Sequence, residues 1–311
     1  MGSGRFDPSD WARYTTLNSY STRSTASIFS KTEIDKDLDP KNIKVRESRD
    51  SALNPNSTPI IIGIDETGSM GHLADLMIRK GFPILINGIY DRKPVTDPHI
   101  LCMGIGDAEC DNSPMQATQF EAEAVPLISQ VEKIYLEGNG GGNSYEGYSL
   151  AWLFAATKTS TDSFEKRNKK GYLFTVGDEY PTAKLVAEDI KRIFGESLFQ
   201  GKELSTDDLL TMVTRQWEVF HIVVAQGSFC KSTGVDKVKS AWQKYLGQRV
   251  IVLDDAEKMA EVIVSAIQVA EGADRDSVAS SWDGSTSLVV KNAIQSLDKN
   301  NSSKDSGVVT L

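Results

Sequence analysis

The sequence predicts an α/β protein: a doubly wound, mostly parallel sheet flanked by helices, with an extended arm at each end. Two observations carry that expectation. Short apolar runs alternate with amphipathic stretches between residues 58 and 272, the order that gives right-handed crossovers and a parallel sheet covered on both faces. The first run, Pro59-Ile60-Ile61-Ile62-Gly63-Ile64, is apolar on both faces and stops abruptly at Asp65, as a strand buried between two helical layers would. Polar, weakly patterned segments lie on either side, at 1–57 and 273–311.

The N-terminal segment is rich in Ser, Thr and Asn, and Tyr14, Tyr20, Ile28 and Phe29 are too sparse to bury a core of their own. An extended arm is expected there, lying on the main domain or ordering on a partner. After the opening strand, residues 70–90 read as a helix with Leu73, Leu76, Met77 and Leu85 on one face. Gly81-Phe82-Pro83 should break or kink it, because proline lacks the backbone donor and clashes with the previous turn. Further strands are expected at 100–106, 172–176, 219–224 and 249–253, with a hairpin edge near 119–121. Helices are expected at 125–136, 148–156, 183–194, 207–217 and 235–246. In the last helix of the domain Met259, Val262, Ile263, Ala266, Ile267 and Ala270 recur at helical spacing, and Asp254 with Glu257 looks like a capping box at its start. In the C-terminal tail one apolar segment, 287–297, is expected to dock as a short helix.

Composition restricts function before any motif does. No apolar run approaches the ~20 residues needed to cross a bilayer, and the polar first ten residues, with Asp7 and Asp10, lack the apolar core of a signal peptide. Cys102, Cys110 and Cys230 cannot all pair within one chain and show no Cys-x-x-Cys metal spacing. A reducing, cytoplasmic setting is the simplest expectation. The net charge of −9 argues against a general nucleic-acid binder, which needs a positive footprint, and fits a protein partner better.

Ligands of parallel sheets bind beyond the carboxyl ends of the strands, where Asp65 should sit. Asp65, Thr67 and Ser69 offer only oxygen, the donor set a hard cation such as Mg²⁺ prefers. Two more loops should reach the same edge. Gly140-Gly141-Gly142-Asn143-Ser144-Tyr145-Glu146 allows close backbone approach and presents Asn143 or Ser144; Gly177-Asp178-Glu179 ends the third strand with a second carboxylate. Each has a plainer reading: the first as an N-capped turn, Ser144 as a helix cap, and Asp178 as an ordinary loop acid. The acidic cluster Asp107, Glu109 and Asp111 lacks the twelve-residue calcium-loop pattern and is expected as a solvated hairpin loop. Lys166, Arg167, Lys169 and Lys170 are expected as a solvated basic loop, and His72 as a surface residue.

Asp65-x-Thr67-x-Ser69, a Gly-rich segment with a hydroxyl, and a strand ending in an aspartate together resemble the von Willebrand factor A-type (VWA) fold, over roughly residues 58–272. The resemblance implies a Rossmann-like sheet carrying a metal-ion-dependent adhesion site. It implies that Asp65, Thr67 and Ser69 hold Mg²⁺ or Mn²⁺ directly or through water, with Asp178 acting mostly through a bridging water. The family's second-loop threonine maps onto Ser144, with Asn143 as the alternative. It implies a metal-dependent protein-binding module whose cation takes an Asp or Glu of a partner. Intracellular members in bacteria and their viruses often work with AAA+ ATPases of the MoxR type. An alternative is a structural or assembly protein acting through its arms. A metal-dependent hydrolase is disfavoured: Thr67 stands where a haloacid dehalogenase-type enzyme needs its second Asp, and no Walker loop, nucleophile elbow or placed histidine base is visible.

Overall fold

The computed structural model describes residues 4–138, 143–195 and 198–298; Gly140, Gly141 and Gly142 of the Gly-rich loop and the tail beyond 298 lie outside them, as does the side chain of Ser69. The central sheet has six strands: β1 (Thr58–Asp65), β2 (Pro98–Ile105), β3 (Met115–Ala117), β4 (Gly171–Gly177), β5 (Trp217–Val224) and β6 (Val250–Leu253). They lie in the order β6-β5-β4-β1-β2-β3, parallel except for the edge strand β3. The expected α/β architecture is therefore present, with β1 in the interior and fully buried along its length.

Strand alternation divides the core. Ile60, Ile62, Ile64, Phe174, Val176 and Ile222 face one apolar layer, while Ile61, Leu101, Leu173, Val219 and Val223 face the other. The first layer is covered by helices α1 (Pro8–Leu17), α2 (His72–Leu76), α3 (Phe82–Arg92) and α4 (Ala124–Val131), and the second by α5 (Tyr148–Thr157), α6 (Ala187–Phe194), α7 (Thr206–Val213) and α8 (Val235–Leu246). Helices α9 (Met259–Ala270) and α10 (Gly284–Ile294) complete the first layer. Between α2 and α3 the chain makes a π-helical turn, Met77–Gly81, which is how the helix absorbs Pro83.

Several elements differ from expectation, each for a local reason. The N-terminal segment is not an extended arm: Asp7 caps α1 by accepting from the Ser9 N–H, and Trp11, Tyr20, Ile28 and Phe29 are buried in the domain's own core. The 183–194 helix begins only at Ala187, because Lys184–Leu185 pairs with Leu204–Ser205 as a short antiparallel ribbon. The 207–217 helix stops at Val213, and Trp217 opens β5 with its indole donating to the Ala155 carbonyl at 3.1 Å. The hairpin edge is β3; Glu121 makes only a single bridge to Ile100. The cap near α9 is Asp255, which accepts from the Glu257 N–H, rather than Asp254. The basic run is solvated as expected but also paired: Arg167 and Lys166 reach Asp50, Lys169 reaches Glu271 and Lys170 reaches Glu218.

Candidate metal centre

Asp65 ends β1 with its side chain fully buried, and the chain turns at once so that the Thr67 N–H and hydroxyl both donate to Asp65 Oδ1, at 2.9 and 2.6 Å. Ser69 follows in a single 3₁₀ turn, Gly68–Met70, leading into α2. The second loop enters through Glu146, whose Oε1 lies 2.9 Å from Thr67 Oγ1. The Thr67 hydroxyl donates to Asp65 and can accept from a protonated Glu146, so one proton shared with Glu146 satisfies both contacts. The other Glu146 oxygen is buried and has no hydrogen-bond partner among the described residues.

The third loop stands beside the first. Asp178 is buried at the end of β4 and its Oδ2 accepts from the Phe229 and Cys230 N–H groups at 2.8 and 3.4 Å. Tyr148, at the start of α5, donates its hydroxyl to Asp65 Oδ2 at 2.9 Å and accepts from the Glu179 N–H at 3.4 Å. It thereby joins all three loops. The expected second-loop residues are placed differently from Glu146. Asn143 Oδ1 accepts from the Tyr145 N–H at 3.2 Å, and Ser144 adopts a left-handed backbone (φ 74°) with its carbonyl accepting from the Tyr180 N–H at 3.3 Å. Residues 145–146 and 180–181 then pair as a short parallel ribbon, which holds the second loop to the third.

The centre is carboxylate-rich and buried. Burial raises the Asp65 carboxyl to about 7, with Asp178 adding to the effect and hydrogen bonds from Thr67 and Tyr148 opposing it. Burial, then the charges of Asp65 and Glu179, push Glu146 up to about 10. Glu179 is raised to about 7 by burial and by Asp65 and Asp178. Burial also raises Asp178, against the amides of Phe229 and Cys230. Among the described residues no group of three or more His, Cys, Asp or Glu side chains is arranged to hold an ion, so a cation here would have to draw on hydroxyl oxygen as well.

Glycines clear the space that these side chains occupy. A Cβ on Gly177 would stand 1.9 Å from the Tyr148 hydroxyl oxygen, and one on Gly227 would stand 2.1 Å from Asp178 Oδ2. The loop after β2 is a correction to expectation: Asp107 and Asp111 are buried, with Asp111 Oδ2 accepting from the Asp107 N–H at 2.8 Å and Asp107 Oδ1 from the Glu109 N–H at 2.7 Å. Only Glu109 of the three is exposed. Sequence reasoning missed Glu146 and Tyr148. Their signal was position: both lie within four residues of Ser144, at the mouth of a helix that is apolar on every face.

No protein-family model matches the chain, and no curated protein matches it. Among solved structures it is similar to the pilus adhesin SpaC from Lactobacillus rhamnosus GG in its open conformation, at 11% identity and TM-score 0.47 over 72% of this chain and 31% of that one. It is similar to the ArnB paralog VWA2 from Sulfolobus acidocaldarius, at 11% identity and TM-score 0.32 over 68% of this chain and 46% of that one. It is also similar to BatB from Bacteroides thetaiotaomicron, at 12% identity and TM-score 0.28 over 54% of this chain and 66% of that one. The similar structures thus include a VWA protein. The chain spans about a third of the SpaC chain, and with scores this low its architecture rests on strand order, not on these likenesses.

Proposed function

We propose that the chain is a metal-dependent protein-binding module of VWA type, in which Mg²⁺ or Mn²⁺ at the carboxyl edge of the sheet takes an Asp or Glu of a partner protein. The observation that carries the reading is the oxygen cluster of Asp65 Oδ1, Thr67 Oγ1 and Glu146 Oε1, with successive separations of 2.6 and 2.9 Å. Neighbouring ligands of an octahedral Mg²⁺ stand about 3 Å apart, a spacing that these hydrogen-bonded oxygens would reach by opening the Asp65–Thr67 contact slightly. Asp65, Thr67 and Ser69 would hold it, Glu146 or the expected Ser144 (or Asn143) would supply the second loop, and Asp178 would act through water. A cation bound by hydroxyls and few carboxylates keeps positive charge, and a partner carboxylate completes its shell.

The test is thermal melting. Millimolar Mg²⁺ or Mn²⁺ should raise the melting temperature relative to EDTA by mass action, and Asp65→Ala should abolish the rise. Glu146→Gln should reduce it more than Ser144→Ala does; the reverse ranking would return the second-loop role to Ser144. A melting curve of the unsubstituted protein that is identical in metal and EDTA would overturn the reading.

A further inference from the structure

Tyr148 meets Asp65 and Glu179 through its hydroxyl, and a stack of two other rings seats its own ring. His221 of β5 and Trp242 of α8 lie face to face, with centroids 3.6 Å apart and planes 12° from parallel. Tyr148 stands edge-on to both, 4.9 Å from His221 and 5.4 Å from Trp242, at interplanar angles of 70° and 67°. All three side chains are buried. His221 Nδ1 shares a hydrogen bond with Thr175 Oγ1 at 2.8 Å, and its other nitrogen has no hydrogen-bond partner among the described residues. One hydrogen bond and the Trp242 face therefore orient the imidazole. The Trp242 indole also donates to the Glu179 carbonyl at 2.9 Å, while the N–H of Glu179 donates to the Tyr148 hydroxyl at 3.4 Å. Trp242 thus holds the phenol at two points, ring against ring and indole N–H against the residue that the hydroxyl accepts from. The opposite face of α8, with Ser240 and Lys244, walls a cleft of about 920 Å³ that opens beside the metal edge at Asp107 and Asn143. One helix is shared by the cleft and the centre.

The Tyr148 proton goes to Asp65 Oδ2 at 2.9 Å, which turns the other carboxylate oxygen, Oδ1, toward Thr67. Partners that orient a ligating side chain in this way set metal affinity without touching the ion. We propose that Trp242 is a positioning residue of the candidate metal centre: it fixes Tyr148 on Asp65, and so links the seat of α8 to the affinity for the cation. The inference deepens the metal-dependent reading and rests on it for the cation.

The test is Mn²⁺ binding to the full chain, with free Mn²⁺ read by electron paramagnetic resonance. Trp242→Phe should raise the Kd about threefold or more. Trp217→Phe is the control: it also loses a buried indole donor, to the Ala155 carbonyl at 3.1 Å, but at the opposite end of β5 from the centre. It should leave the Kd near that of the unsubstituted protein. Tyr148→Phe should weaken binding about tenfold, and adding Trp242→Phe to it should make no further difference, because the hydroxyl through which Trp242 acts is gone. Equal weakening by both tryptophan variants, none by Trp242→Phe, or a full Trp242 effect without the Tyr148 hydroxyl overturns the proposal. A second measurement needs no variant. Linkage is reciprocal, so Mg²⁺ should slow amide hydrogen exchange along α8 more than along α10; equal slowing overturns the proposal. Unsubstituted protein that binds no Mn²⁺ overturns the metal reading and this proposal together, whereas binding that ignores Trp242 overturns this proposal alone.

Discussion

At the scale of residues, the candidate centre buries carboxyl groups that ordinary stability would expose. Asp65, Glu146, Asp178 and Glu179 all titrate above the usual carboxylate range because burial penalises their charge. The arrangement depends on Tyr148 being able to reach Asp65 past Gly177. Gly177→Ala is expected to cost about 1–3 kcal/mol by overpacking and to blunt the Mg²⁺ response, measured by urea denaturation with and without metal. Stability and metal response equal to those of the unsubstituted protein would show that the Tyr148 contact is dispensable. Histidines supply the pH dependence on the acid side. Burial holds His99 down, to about 4 from 6.5, and His221 well below its ordinary value. With a depressed folded pKa the unfolded chain binds the proton more readily, so stability is full above about 6.5 and is lost as pH falls toward 4. For His99 that loss is up to about 3 kcal/mol. The melting temperature should therefore fall less between pH 7 and pH 4.5 in His99→Gln than in the unsubstituted protein. The comparison separates His99 from the carboxyls of the centre, whose raised values act with the opposite sign. Asp65, Thr67 and Asp178 were legible as candidates because two short local patterns end two strands, β1 and β4. Glu146 was not, because a glutamate before a glycine has no local signature; its role comes from a contact made 79 residues away.

At the scale of elements, the N-terminal segment and the π-helical turn explain one another. In such a turn a carbonyl pairs with the N–H five residues on, and the Phe82 N–H accordingly donates to the Met77 carbonyl. The next donor would be Pro83, which has none. The Trp11 indole takes that place, donating to the Ile78 carbonyl at 3.2 Å, and its ring packs on Phe82 with centroids 5.2 Å apart. Arg79 from the same turn donates to the carbonyls of Tyr20 and Arg23. Trp11→Phe keeps the ring and leaves a buried carbonyl unpaired, so it is expected to cost about 1–3 kcal/mol in chemical denaturation. A loss of only a few tenths would mean that the turn finds another donor. The disturbance before Pro83 was legible because proline acts locally, and it takes the form of the π-helical turn. The helix α1 was not: its apolar content is too low to specify a core until Trp11 has the π-turn to pack against.

At the scale of the whole molecule, the segments on either side of the alternating region belong to the core, at residues 6–38 and 278–297. Val278, Val290, Ala293, Ile294 and Leu297 are buried in the same apolar layer as α9, although the alternating pattern stops near residue 272. Each fully buried aliphatic side chain contributes about 1.5–3 kcal/mol. Truncation after Gly272 should therefore remove upward of about 5 kcal/mol, read as a large drop in denaturation midpoint or loss of the cooperative transition. A truncated chain as stable as the full one would make the C-terminal helices an accessory. The candidate centre is likewise a property of the whole sheet. Its first and third loops follow β1 and β4, which are neighbours in the sheet, its second loop arrives from α4, and the cleft beside it needs α8 held over β5 and β6.

By itself the sequence determined the alternation of strands and helices, the burial of β1 and the identity of the carboxylate that ends it. These follow from periodicity, from uninterrupted apolar runs and from glycine and proline punctuation, all of which act within a few residues. Only the tertiary structure decided that Glu146 and Tyr148 meet Asp65, that Asp107 and Asp111 are buried, and that Trp11 repairs the turn before Pro83. Those outcomes are set by which distant backbone comes close enough to offer or withhold a hydrogen bond. Strand order fixes that proximity, and no local pattern encodes it.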